Sequence, residues 1–135
     1  MSSDRLSQSP PLARILSQAG DRPTVRAACR LALDATGLNE DERAAGALTG
    51  LSESGPDSHW LEIAGRMREE FDSAAWEAQG RGANDEYDLW FRRARAAAAL
   101  EYAHADAAAD AVYEAAHAFG EMAAFRVALR AALSL

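Results

Sequence analysis

From Asn84 to Leu135 the chain holds one glycine, Gly120, and no proline. No other feature narrows the choice of fold so far. Almost every residue of that stretch tolerates a helix, alanine best of all. As one straight helix from Asn84 to Ala118 it would be about 50 Å long, at about 1.5 Å per residue. That exceeds the width of a domain of this size, so the stretch must break or project. Two weak points invite a break: Gly120, and the segment from His104 to Ala111, where Asp106 and Asp110 are poor helix formers.

Upstream, Gly20, Gly37, Gly55-Pro56 and Gly80-Arg81-Gly82 separate runs with helical spacing. A loose tail over residues 1–10 is expected, then a short helix from Pro11 to about Ala19. Asp21 or Arg22 precedes Pro23, a favoured first helical position. That helix runs to about Thr36, where Gly37 suits a helix C-terminus. Asn39 with Glu42 resembles a capping box and opens a helix to about Thr49. Asp57 or Ser58 caps a longer one to about Gln79, and Asn84 caps the last region. No run alternates as a strand does, and valine, isoleucine and threonine are scarce. The expectation is an all-α protein. Residues 11–135 should form one domain, a compact bundle of five to seven helices with a long C-terminal helical region.

Hydrophobic residues make up 49% of the chain, and alanine supplies the largest share, so the core must be thin and its helices close together. The net charge of -7 opposes binding to nucleic acid phosphate and to anionic membranes unless a basic patch is concentrated locally. Neither is an expected partner. All 14 basic residues are arginine, which, with the alanine excess, reads as the coding bias of a bacterial genome. The lone cysteine, Cys29, excludes an intrachain disulfide and suits the cytoplasm. It lies on an apolar helix face as a core residue. No apolar run reaches membrane-spanning length.

Two copies of Glu-x-x-His invite a metal reading: Glu101 with His104, and Glu114 with His117. Extended through both copies, helical periodicity puts Trp90, Ala94, Ala97, Glu101, His104, Val112, Ala115 and Phe119 on one stripe. It is otherwise apolar, so Glu101 and His104 should face inward as a hydrogen-bonded pair, with Arg93 nearby. Asp106, Asp110, Glu114, His117 and Glu121 fall on a second stripe, expected to face water. On a continuous helix the copies lie about 20 Å apart and cannot share an ion. Too few residues separate them for a helical hairpin. Glu101 and His104 remain candidate ligands for a small molecule or metal; no metal site is assigned and no cofactor is expected.

The run "LALDATGLNEDERAAGAL" has the outline of a helix-turn-helix. Its would-be recognition helix opens on Asn39-Glu40-Asp41-Glu42, and those acids would meet phosphate with repulsion. A cluster of aromatics and arginines in "DEYDLWFRRAR" supplies Tyr87, Phe91, Arg92 and Arg95, residue types that dominate binding hot spots. Trp76 lies nearly opposite Trp60 on its helix, away from the apolar stripe of Ile63, Ala64, Met67, Phe71, Ala75 and Ala78. Either a neighbouring helix or a partner covers it. Phosphate loops, nucleophile elbows and zinc signatures are missing. The chain therefore reads as a non-enzymatic protein-interaction module, homodimeric or the acidic, immunity-type inhibitor of a basic protein. The alternative is a helical bundle that binds a small ligand or metal around Glu101 and His104.

Overall fold

The C-terminal region breaks at both weak points. The computed structural model describes Leu6 and residues 9–135, and among these residues seven α-helices pack as a bundle with no strand. They are α1 (Pro10–Ala19), α2 (Asp21–Thr36), α3 (Glu42–Ser54), α4 (Ser58–Gly80), α5 (Asn84–His104), α6 (Ala108–Phe119) and α7 (Met122–Ala132); a 3₁₀ turn, Leu38–Glu40, joins α2 to α3. Of the expected tail, residues 1–5, 7 and 8 lie outside the described residues. Leu6 is buried, and Pro10 already belongs to α1.

The first break makes the hairpin that the sequence reading had ruled out. Three residues, Ala105 to Ala107, suffice because Asp106 adopts a left-handed conformation at φ 60°. The Ala107 N–H then bonds the Tyr102 carbonyl at 2.9 Å, and the Asp106 N–H bonds Ala103 at 3.2 Å. This is the six-to-one and five-to-two pattern that glycine usually closes. Aspartate is one of the few other residues that visit this conformation. Gly120, at φ 111°, makes the second break.

Helix α5 is central. It packs on α4 at one side and on α6 and α2 at the other, while α7 packs on α2, α6 and α1. A stretch of helix covered all round must be apolar all round, and in the second half of α5 Ala94, Ala96 to Ala99, Leu100 and Ala103 are buried. Alanine brings the helices close together. The larger core side chains, Phe125, Leu12, Ile15, Leu33, Met67 and Leu129, fill the space around them. Cys29 is fully buried, and that burial pushes its thiol up to about 12.

Close approach also seats Trp60. A Cβ on Gly46 or Gly50 of α3 would come within 2.5 Å of its indole, so the two glycines form a notch into which α4 is keyed. Asp41, rather than Asn39, caps α3, accepting from the N–H groups of Arg43 and Ala44 at 2.8 and 3.2 Å. Burial pushes its carboxyl up, but the Arg43 guanidinium and those N–H groups outweigh this and hold it below the usual range. Asp57 caps α4 as expected, whereas Ala83 precedes α5 and Asn84 is its first residue, with no side-chain cap. No helix among the described residues is long and apolar enough to cross a membrane.

Candidate functional site

Glu101 and His104 are one helical turn apart on α5, and they do not pair. The His104 ring is buried. Its Nδ1 accepts the Asp57 N–H at 3.1 Å, and its Nε2 lies 2.8 Å from the Ala47 carbonyl. Those partners assign the hydrogen to Nε2. Both nitrogens are thereby used, and the ring bolts α3 and the start of α4 to the end of α5. It offers no lone pair to a metal.

Glu101 turns to α4 instead. Its Oε1 accepts from Arg68 Nε at 2.6 Å, and the Glu101 carboxylate raises the Arg68 guanidinium above its usual range against the opposing effect of burial. Gly65 leaves room for it: a Cβ there would sit 3.0 Å from Oε2. The expected Arg93 is elsewhere. Its Nε donates to the Thr36 carbonyl at the end of α2 at 2.9 Å, and its guanidinium lies 4.9 Å from the centre of the Trp90 ring.

The second copy corrects the reading of faces. Glu114 is buried, with its side chain 6% exposed, and Asp110 is buried as well; only His117 of that pair is exposed, beside Tyr113. The Glu114 carboxylate meets Arg95 NH1 at 3.1 Å, and Arg95 NH2 reaches Asp72 at 3.2 Å. Asp72 lies 3.6 Å from Arg68. The hairpin therefore brings both glutamates to one chain of charges: Glu101, Arg68, Asp72, Arg95, Glu114. All but Asp72 border a cleft of about 360 Å³ between α4, α5 and α6, which Leu61 and Tyr102 also line. The sequence reading missed Arg68 and Asp72. The signal was their i, i+4 spacing with Trp76, which puts all three on one face of α4.

That face continues into the aromatic residues. On α5, Tyr87, Phe91, Arg95 and Tyr102 recur at helical spacing on the matching side. Tyr87 stacks on Phe91 at 5.9 Å between ring centres, and the Arg95 guanidinium lies 5.5 Å from the Phe91 ring. Trp76 is 77% exposed, and no neighbouring helix covers it. Arg92 points elsewhere: its Nε and NH2 donate to the carbonyls of Ala118 and Phe119 at 2.9 and 2.8 Å, stopping the end of α6. Of the candidate interface residues, Trp76, Tyr87, Phe91 and Arg95 thus share one strip, and Arg92 lies off it.

The strip is acidic at its aromatic end. Between residues 69 and 91 there are seven carboxylates (Glu69, Glu70, Asp72, Glu77, Asp85, Glu86 and Asp88) against one arginine, Arg81. This stretch of the chain, which includes Trp76, therefore carries a net charge of -6. Among the described residues no three His, Cys, Asp or Glu side chains converge to hold a metal ion. No family model, curated protein or solved structure matches the chain.

Proposed function

We propose that the chain is a protein-interaction module that presents the end of the α4–α5 hairpin to a basic protein surface. The observation that carries this reading is Trp76, 77% exposed within the acidic stretch from Glu69 to Asp88. A large aromatic side chain left in water gains more than any other from being covered. The surrounding carboxylates would steer a basic surface toward it and repel an acidic one. Tyr87 and Phe91 extend the apolar contact, while Arg95, held by Asp72 and Glu114, keeps the Phe91 side of the strip in place.

A peptide of alternating arginine and leucine serves as the probe, titrated against the full chain by fluorescence anisotropy. Binding should weaken by about tenfold or more in Trp76→Ala, the scale of a hot-spot loss, and should fall steeply with salt. Equal affinity for the wild type and Trp76→Ala would sink the reading.

The cleft supports a second reading, as a pocket for a small ligand, because Arg95, one of its lining residues, has a buried Nε–H with no acceptor among the described residues. Arg68, Arg95, Glu101 and Glu114 would line it, with His104 outside. Native mass spectrometry of the purified chain should then show a retained small molecule that is lost in Arg95→Leu.

A further inference from the structure

The side of the molecule away from α4 carries the opposite charge. Arg14 of α1, Arg26 and Arg30 of α2, and Arg126 and Arg130 of α7 gather around two shallow clefts there. None of the five makes an ion pair or hydrogen bond with any described residue, whereas Arg43, Arg66, Arg68, Arg81 and Arg95 all meet carboxylates. Helices α1 and α7 contain no acidic residue at all. Val127, which lines the cleft with Arg14, Arg126 and Arg130, is 70% exposed. Val127 and Trp76 are the two most exposed large hydrophobic residues among those described. One sits among free arginines, the other among carboxylates.

From this matched pair of faces we propose that the basic partner of the Trp76 end is a second copy of the same chain. The α1–α2–α7 face of one copy receives the α4–α5 hairpin of the next, with Trp76 against Val127 and the carboxylates around Glu77 and Glu86 against Arg126 and Arg130. This rests on the docking role proposed for Trp76 and adds the identity of the partner. The contact is heterologous, since each copy uses two different surfaces. A face-to-face dimer through Trp76 would oppose two acidic ends and be repelled. Among the described residues α4 packs on α5 and α3, and α7 on α2, α6 and α1, so the helices that carry Trp76 and Val127 do not pack on each other. Surfaces on opposite sides do not close on themselves in a dimer, so copies add head to tail.

The test uses sedimentation velocity of the full chain from micromolar to millimolar concentration, with two variants. Trp76→Ala removes the donor side. Arg126→Glu with Arg130→Glu reverses the acceptor side. Both sets of positions lie at the surface, and circular dichroism verifies that each variant is folded. The wild type at low salt should grow past the dimer as concentration rises, and return to monomer in high salt. Each variant alone should self-associate at least about tenfold more weakly than the wild type. An equimolar mixture should form a heterodimer and nothing larger, because only one productive contact remains. A wild type that stays monomeric, a species that stops at the dimer, or a mixture that stays monomeric overturns the proposal. A monomeric wild type that still binds the arginine-leucine peptide through Trp76 overturns only the identity of the partner. Loss of both overturns the docking role as well.

Discussion

Glu101 with His104 and Glu114 with His117 are the same four-residue pattern thirteen residues apart, and the fold uses their members in four ways. His104 is a buried bolt between helices, and Glu101 a half-covered partner of Arg68. Glu114 is a buried partner of Arg95, and His117 an exposed ring beside Tyr113. The motif did not decide the outcome. What decided it was how many neighbours each helix face has: α5 and α6 are each packed on more than one side, whereas helical periodicity alone looks for a single buried stripe.

The comparison breaks most visibly at Glu114. Its side chain is 6% exposed and holds Arg95 from the inside. Glu114→Ala should destabilise the chain by about 2–3 kcal/mol, somewhat below the roughly 3–5 kcal/mol of a fully buried broken pair, because Arg95 keeps Asp72. Denaturant unfolding gives the value. A loss below about 0.5 kcal/mol would mean that Glu114 faces water, as periodicity alone expects.

His104 should come next. In His104→Ala the Asp57 N–H is left without its acceptor, and such a group costs about 1–3 kcal/mol when buried. The expected loss is about 2 kcal/mol. His104→Gln, which can place one polar atom near one of the two partners, should recover part of it. If Ala and Gln lose the same amount, the hydrogen bonds contribute little and the packing of the ring accounts for the effect.

Much of the bundle was legible. The glycine and proline breaks bounded the helices to within a few residues. On α4 the stripe of Ala64, Met67, Phe71, Ala75 and Ala78 is buried as its spacing implied. Trp76 was visible as an aromatic off that stripe. The C-terminal faces were not legible, for a physical reason. Helical phase was carried through residues 104–111, but the turn at Asp106 resets it, so the face of the second copy no longer follows from that of the first. The break itself was readable from the poor helix formers; the three-residue hairpin was not, because aspartate stood where glycine is the usual sign. The notch of Gly46 and Gly50 was also missed. Two glycines inside a helix read as weak helix formers until the indole of Trp60 is placed against them.

The smallest effects sharpen the same comparison from its exposed side. Glu101 is 25% exposed, so solvent screens its pairing with Arg68, and Glu101→Ala should cost only about 1 kcal/mol, near the top of the range for surface pairs. His117 is exposed, with the Tyr113 ring 4.5 Å away between centres, and His117→Ala should change stability by no more than about 0.5 kcal/mol. The order Glu114, His104, Glu101, His117 is the informative quantity, because a common error in the unfolded reference shifts all four together and leaves the ranking intact. It places the two members of the second copy at its two ends, with the first copy between them, and it alternates between the two residue types. A motif acting as a unit would instead make both members of one copy costly and both members of the other nearly silent. If His117→Ala proved as damaging as Glu114→Ala, the second copy would be working as such a unit, and the separate roles assigned to its glutamate and histidine would have to be abandoned.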